Sequence, residues 1–120
     1  MLWFTFCVLM AVNGNSKKYD LEDRTFRFAQ RVREFIKNLP KTLANMEDSR
    51  QLVRASGSVG ANYIEANEAI SDKDFLLRIK ICRKEAKESR YWLRLVETNY
   101  EDNPEKERQY LANEAEELTK

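Results

Sequence analysis

The chain contains no histidine. That removes the commonest general base near neutral pH and the commonest metal ligand. Cysteine occurs twice, at Cys7 and Cys82. The two are far apart, so no disulfide framework is written into their spacing and a reducing cytoplasm is the expected setting. Three glycines and two prolines leave no room for a glycine-rich phosphate loop, and strand-like alternation is scarce. Neither sign of charge dominates: 21 Lys and Arg face 20 Asp and Glu, for a net charge of +1. Whole-protein attraction to nucleic acid or to a membrane is therefore not indicated. Any electrostatic function has to come from local segregation of charge.

A long hydrophobic run is also missing. Met1 to Val12, MLWFTFCVLMAV, is about a dozen residues, too short to span a bilayer. Three readings stay open for it. It is a signal-peptide core without a basic start or a clear cleavage site, a real apolar arm, or the product of an over-extended start with Met10 as the true first residue. The last would give the polar beginning MAVNGNSKKYD. Residues 1–18 are set apart as this apolar segment and its linker, and residues 19–120 as one domain.

What is present suits a helical bundle. With 120 residues, 42% hydrophobic and 34% charged, the chain can bury one core behind a solvated exterior. The organising stretch is Ser71 to Thr98, which has no Pro and no Gly. Phe75, Ile79, Cys82, Ala86, Ser89, Leu93 and Val96 alternate spacings of four and three, the seam of a helix packed along its length. Cys82 on that seam reads as a buried small hydrophobe. Ser71 with Asp74 resembles a capping box, and Asp72 and Asp74 complement the helix dipole.

Three more helices cover the seam. The first runs from near Tyr19 or Asp20 to Leu39, before Pro40. It carries Leu21, Phe28, Ala29, Val32, Phe35, Ile36 and Leu39. Its arginines, Arg24, Arg27, Arg31 and Arg33, mix with Glu22, Asp23 and Glu34 and read as a solvated face with intrahelical pairs. The second runs from about Asp48 to Ala69 with a cap at Asn45, and shows Leu52, Ser56, Val59, Tyr63, Ala66 and Ile70 on one face. Gly57, Gly60 and Ala61 inside it suggest close approach of another backbone. The fourth, with Asn103 as N-cap and Pro104 in its first turn, carries Tyr110, Leu111, Ala115 and Leu118 and is strongly acidic. The fold expected is all-α, an antiparallel up-down four-helix bundle.

Beside the apolar face of the second helix runs a polar line of Arg54, Ser58, Asn62 and Glu65. At about 100° per residue these share one edge, which suggests a hydrogen-bonded seam between helices or subunits. Glu65 has no acidic partner on its face and no histidine to work with. No nucleophile–base pair, metal cluster or phosphate loop is visible, so no enzyme activity, small-molecule substrate, metal or cofactor is expected.

The long helix divides into three faces when Cys82 is set at zero and each residue advances about 100°. Phe75 to Val96 fill the core face. Lys73, Lys80, Arg83, Lys84, Lys87, Arg90 and Arg94 fall on an arc from about 80° to 200°, which includes no acidic residue from Asp74 onward. That arc is the candidate nucleic-acid surface, with Tyr91 placed to stack on a base. A second apolar flank, Leu77, Ile81, Trp92 and Leu95, suggests self-association, unless the fourth helix or the Met1–Val12 arm covers it.

One stretch resembles a known family. SVGANYIEANEAISDKDFLLRIKICRKEAKESRYWLRLVE, Ser58 to Glu97, is similar to the bacterial four-helix bundle proteins, or 23S rRNA intervening-sequence proteins. The shared pattern is Ser58, Asn62 and Glu65, then a helix led by Phe75, with Glu85–Ala86 and Trp92–Leu93 near its end. FAQRVREFIKNLP, Phe28 to Pro40, and QLVRASGS, Gln51 to Ser58, also resemble family positions, and the likeness extends from Tyr19 to Leu118. The resemblance implies an antiparallel four-helix bundle assembled into a small ring, a homopentamer, with no enzymatic activity. Some members of the family are encoded within intervening sequences of ribosomal RNA genes. A related protein, the accessory variability determinant of diversity-generating retroelements, binds reverse transcriptase and nucleic acid through a basic surface.

This chain departs from the pattern in its near-zero net charge and in a fourth helix that stops early, as though truncated at Lys120. Met1–Val12 matches nothing in it. The function expected is a cytoplasmic, non-enzymatic homo-oligomer contacting RNA or a ribonucleoprotein through the basic face. The alternative is an adaptor that docks a protein, such as a reverse transcriptase, without touching nucleic acid.

Overall fold

The structure is a computed structural model that describes residues 15–99 and 102–119. The Met1–Val12 segment and Lys120 lie outside the described residues, and so do the expectations attached to them. The described residues fold into four helices: α1 Asn15–Lys37, α2 Leu43–Asn67, α3 Asp72–Leu95 and α4 Asp102–Glu117. Each packs against its neighbours in sequence, and α1 closes against α4. With short connections between them, that is an antiparallel up-down bundle.

The core follows the apolar periodicity. Leu21, Phe28, Val32 and Phe35 of α1 meet Leu52, Val59, Tyr63 and Ala66 of α2, Ile79, Cys82, Ala86 and Leu93 of α3, and Leu111 and Ala115 of α4. Leu39, Val96 and Leu118, just beyond helix ends, complete the buried set, with Ile36, Phe75 and Trp92 partly buried against it. Truncating any of the large aliphatic residues to Ala would cost about 2–5 kcal/mol, enough to threaten a domain of this size.

The helix ends differ from the sequence reading where two polar residues compete for one cap. Thr42, not Asn45, is the N-cap of α2: its hydroxyl accepts the Asn45 N–H at 3.1 Å. The helix therefore starts at Leu43, ahead of the expected Asp48. Asn45 is thereby released for another task. It is buried, its Nδ2 donates to Pro40 O at 3.0 Å and to Glu97 O at 2.8 Å, and its Oδ1 accepts the Glu97 N–H at 2.9 Å. One amide side chain thus ties the α1–α2 turn to the end of α3.

Ile70 does not join the core. α2 ends at Asn67 with Glu68 as C-cap, so Ile70 lies beyond the helix that would have turned it inward and is 95% exposed. At α4 the helix begins at Asp102, which puts Asn103 inside its first turn and not at the cap. Ser71 does cap α3, accepting the Asp74 N–H at 3.1 Å. α1 begins at Asn15, earlier than Tyr19.

The glycines of α2 mark where α1 comes close. A Cβ on Gly60 would sit 3.1 Å from Thr25 Oγ1 and 3.4 Å from Thr25 Cβ. Thr25 is buried, with its hydroxyl bonded back to Leu21 O and Glu22 O. A larger residue at position 60 would have to push this fixed side chain away.

Candidate nucleic-acid face

α3 presents different sides to α2, α4 and solvent, and its cations divide accordingly. On the side toward α4, Arg83 Nε donates to Thr119 O at 3.1 Å, and Arg90 pairs with Glu116 at 3.8 Å. Both are partly buried. Lys80, Lys84, Lys87 and Arg94 point elsewhere. All four are exposed, and their side chains form no ion pair among the described residues. They run along about 21 Å of helix at 1.5 Å per residue. Lys73 is exposed about two turns further back, and Tyr91, 56% exposed, stands among them. The six residues of the predicted nucleic-acid surface thus separate into four uncommitted cations and two that hold α4.

Toward α2 the side chains are bound into a seam. Arg54 donates through Nη1 to Glu85 Oε2 at 3.3 Å and through Nη2 to Glu88 Oε1. Glu85 is only 6% exposed, so Arg54 is what its carboxylate meets at the edge of the core. Glu88 also accepts the Trp92 Nε1–H at 3.3 Å. Burial alone would raise the Glu88 carboxyl pKa, but the hydrogen bonds from Arg54 and Trp92 outweigh it and hold the group below the usual range. The same contact with Glu88, set against some burial, raises Arg54 above its ordinary value.

Further along, Arg78 Nη1 donates to Asn62 Oδ1 at 3.3 Å, and Asn62 Nδ2 donates to Ser58 O at 2.9 Å. The line of Arg54, Ser58 and Asn62 therefore sits at the α2–α3 junction. Glu65 does not join it; it is exposed at the outer edge. The acidic ends of this seam, Glu85 and Glu88, lie on α3; Glu85 was named in the family pattern, but neither acid was expected in the seam, although an acid beside the core residue Ala86 was a readable signal.

The second apolar flank is divided too. Trp92 is half-buried against the core, and Ile81 is partly covered. Leu77 and Leu95 are 55% and 47% exposed. α4 lies on the opposite side of α3, with Arg83 and Arg90, and does not cover them.

α1 and α4 are joined by charge. Arg24 forms a two-point pair with Glu114 at 2.7 and 2.8 Å, and Arg31 does the same with Glu107 at 3.1 and 2.8 Å. The Arg31 guanidinium also lies over the Tyr110 ring, 3.8 Å from its centre. Among the described side chains of α1, the intrahelical pairs are Arg27–Asp23 and Lys37–Glu34. The matching signal was legible: the two arginines and the two glutamates are each separated by seven residues, the spacing of one helix edge. A cleft of about 700 Å³ between α1 and α4 is lined by Arg24, Arg31, Tyr110 and Glu114, with Phe26, Phe28 and Leu111 among its other walls, and the charges of its arginines are met by Glu114, Glu107 and Asp23.

Cys82 is buried with its Sγ 3.3 Å from Val59 O. Burial pushes its thiol up to about 12, so it stays protonated and packs as an apolar group. No group of three or more potential metal ligands converges among the described residues. No described helix is long and apolar enough to cross a membrane.

The model of the 23S rRNA-intervening sequence protein family matches residues 17–120. The chain belongs to that family. As a 23S rRNA-intervening sequence protein it also resembles a solved structure from Bacteroides thetaiotaomicron, a protein of unknown function from the S23 ribosomal protein family. The two share 31% sequence identity over 85% of this chain and 90% of that one, with a TM-score of 0.68. No curated protein matches the chain. The family match takes in all four helices, so the seam at Arg54, the open face of α3 and the α1–α4 clamp all belong to the family domain.

Proposed function

We propose that this 23S rRNA-intervening sequence protein is a non-enzymatic, cytoplasmic homo-oligomer that contacts RNA through the open face of α3. The observation that carries the reading is the division of cations on α3. Arg83 and Arg90 are spent on α4, whereas Lys80, Lys84, Lys87 and Arg94 stand exposed and unpaired in a row. Such a row is kept solvated at no gain to the fold, and it is suited to releasing counterions from a polyanion. The family description, with its mention of 23S rRNA, makes RNA the polyanion of choice. Self-association is supported by Leu77 and Leu95, exposed beside Trp92 on the flank next to the row. A ring of subunits, a pentamer as the family resemblance implies, would repeat the row and add weak contacts together.

The test is an electrophoretic shift of a structured 23S rRNA fragment by the purified chain, with native mass spectrometry on the same sample. A salt-sensitive shift that is lost when Lys80, Lys84, Lys87 and Arg94 are changed to Glu supports the reading. A shift unaffected by those changes removes this face from the function, and a monomer mass at micromolar concentration removes the assembly.

The exposed flank also favours a second reading, an adaptor that docks a partner protein there without RNA. Protein capture that survives nuclease treatment and is lost in Leu77→Asp or Leu95→Asp would favour it.

A further inference from the structure

We propose that the open face of α3 takes single-stranded RNA and that Tyr91 is its base-stacking platform. The inference rests on the RNA reading above and narrows it to a ligand class and one specificity-determining residue. Relative to Cys82, Tyr91 lies at about 180°, inside the span of about 120° to 200° occupied by Lys80, Lys84, Lys87 and Arg94. Lys87 is one turn before it and Arg94 nearly one turn after. An aromatic side chain thus interrupts a line of cations on the same exposed strip.

Tyr91 is also held in position. Its ring meets that of Trp92 nearly at right angles, 77° between planes and 5.0 Å between centres. Trp92 in turn is fixed by packing against the core and by its hydrogen bond to Glu88. An edge-to-face contact covers at most one face of the Tyr91 ring, and the side chain remains 56% exposed. The nearest acid on this helix, Glu88, is hydrogen-bonded to Arg54 and Trp92, and of the four cations only Lys84 is felt by its carboxylate.

The chemistry separates the two forms of RNA. An A-form duplex keeps its bases stacked on one another and shows a protein its phosphates, its 2′-hydroxyls and a shallow minor groove. The cations would bind it, but Tyr91 would find no free base. A single strand offers phosphates to the lysines and an unstacked base to the ring, and aromatic stacking of this kind tolerates any base.

The experiment is fluorescence anisotropy with the full chain, using a short unstructured RNA oligonucleotide and the same sequence as a duplex. The expected result is tighter binding of the single strand. Tyr91→Leu, which keeps apolar bulk but has no ring face, should weaken single-strand binding by about 5- to 150-fold and leave duplex binding within about 2-fold. Tyr91→Phe, which keeps the ring, should bind as the native chain does. Circular dichroism of each variant checks the fold. Equal or tighter duplex binding, or a Tyr91→Leu variant that binds the single strand normally, overturns the inference while leaving the RNA reading in place if the Lys80, Lys84, Lys87 and Arg94 charge reversal still abolishes binding. If the native chain binds neither form, or the reversal has no effect, the RNA reading fails and this inference fails with it.

Discussion

Asn45 offers the sharpest test of how the bundle is held at one end. Its side chain makes three hydrogen bonds, to Pro40 O, Glu97 O and Glu97 N, from a site only 2% exposed. Asn45→Ala removes all three and strands their backbone partners. At about 1 kcal/mol net per hydrogen bond, more where a buried partner stays unsatisfied, the loss is about 2–4 kcal/mol. That is a large share of the 5–15 kcal/mol typical of a domain. For a chain of this length it corresponds to a fall in Tm of about 10–15 °C.

Asn45→Asp makes the reasoning more specific. It keeps an acceptor for Glu97 N–H but puts a carboxylate oxygen where the amide faced two carbonyls. That carboxyl is pushed up in the folded state, so its variant is best off below the ordinary carboxyl range and loses stability as pH rises through it. The assay is urea unfolding followed by circular dichroism, at neutral pH and near pH 4. Asn45→Asp should be no more stable than Asn45→Ala at neutral pH and should recover on acidification. An Asn45→Ala variant within about 0.5 kcal/mol of native would refute the account, because it would mean that water satisfies these groups at no cost.

Three further outcomes follow from the geometry. Gly57→Ala should stabilise by about 0.5–1 kcal/mol, since the nearest atom is the mobile end of Arg33 at 3.3 Å, while Gly60→Ala, pressed against Thr25 at 3.1 Å, should lose about 1 kcal/mol or more; equal gains at both sites in thermal melts would contradict the close approach of α1. In a Cys7→Ser background, Cys82 should resist a thiol-specific reagent until the protein unfolds, and its burial should favour folding below the ordinary thiol range and cease to do so as pH rises toward about 12; rapid native labelling would be the contrary result. The carboxyls of Glu88 and Glu105 are depressed, Glu88 despite its burial and Glu105 chiefly by Arg108 and then by Thr98. Their stabilisation is present above the ordinary carboxylate range and is lost as pH falls through the lowered values. Glu88→Gln should therefore flatten the acid limb of the stability curve, and an acid limb identical to that of the native chain would count against it.

Apolar periodicity made much of this fold legible. The α3 seam from Phe75 to Val96 depends only on spacing within one helix, and so do the core positions of α1 and α4. Polar ties between helices were less legible, because they require knowing which helices are neighbours. Arg24 and Arg31 looked like partners for acids on their own helix until α4 was placed opposite them. Helix ends were obscured for a related reason. Thr42, Asn45 and Asn103 are all residues that can cap, and only the geometry decides which one does. Ile70 matched the α2 period yet lay past the helix end, where the period no longer describes a face.

The division of the basic arc was likewise out of reach from sequence. Angles put Arg83 and Arg90 beside Lys80 and Lys87, but α4 claims the arginines and leaves the lysines. Gly60, by contrast, was readable as a sign of close approach, since a helix-interior glycine costs about 1 kcal/mol and implies a compensating contact.

The most direct measurement of the central claim is the salt dependence of RNA binding by the native chain and by single neutral variants of the α3 row. With Lys80, Lys84, Lys87 and Arg94 all engaged, log K against log salt for a short single strand should have a slope of about −3, from about −0.7 per neutralised phosphate. Each of Lys80→Gln, Lys84→Gln, Lys87→Gln and Arg94→Gln should flatten it by about 0.7, whereas a native slope near zero, or slopes unchanged in all four variants, would contradict an RNA contact through this face.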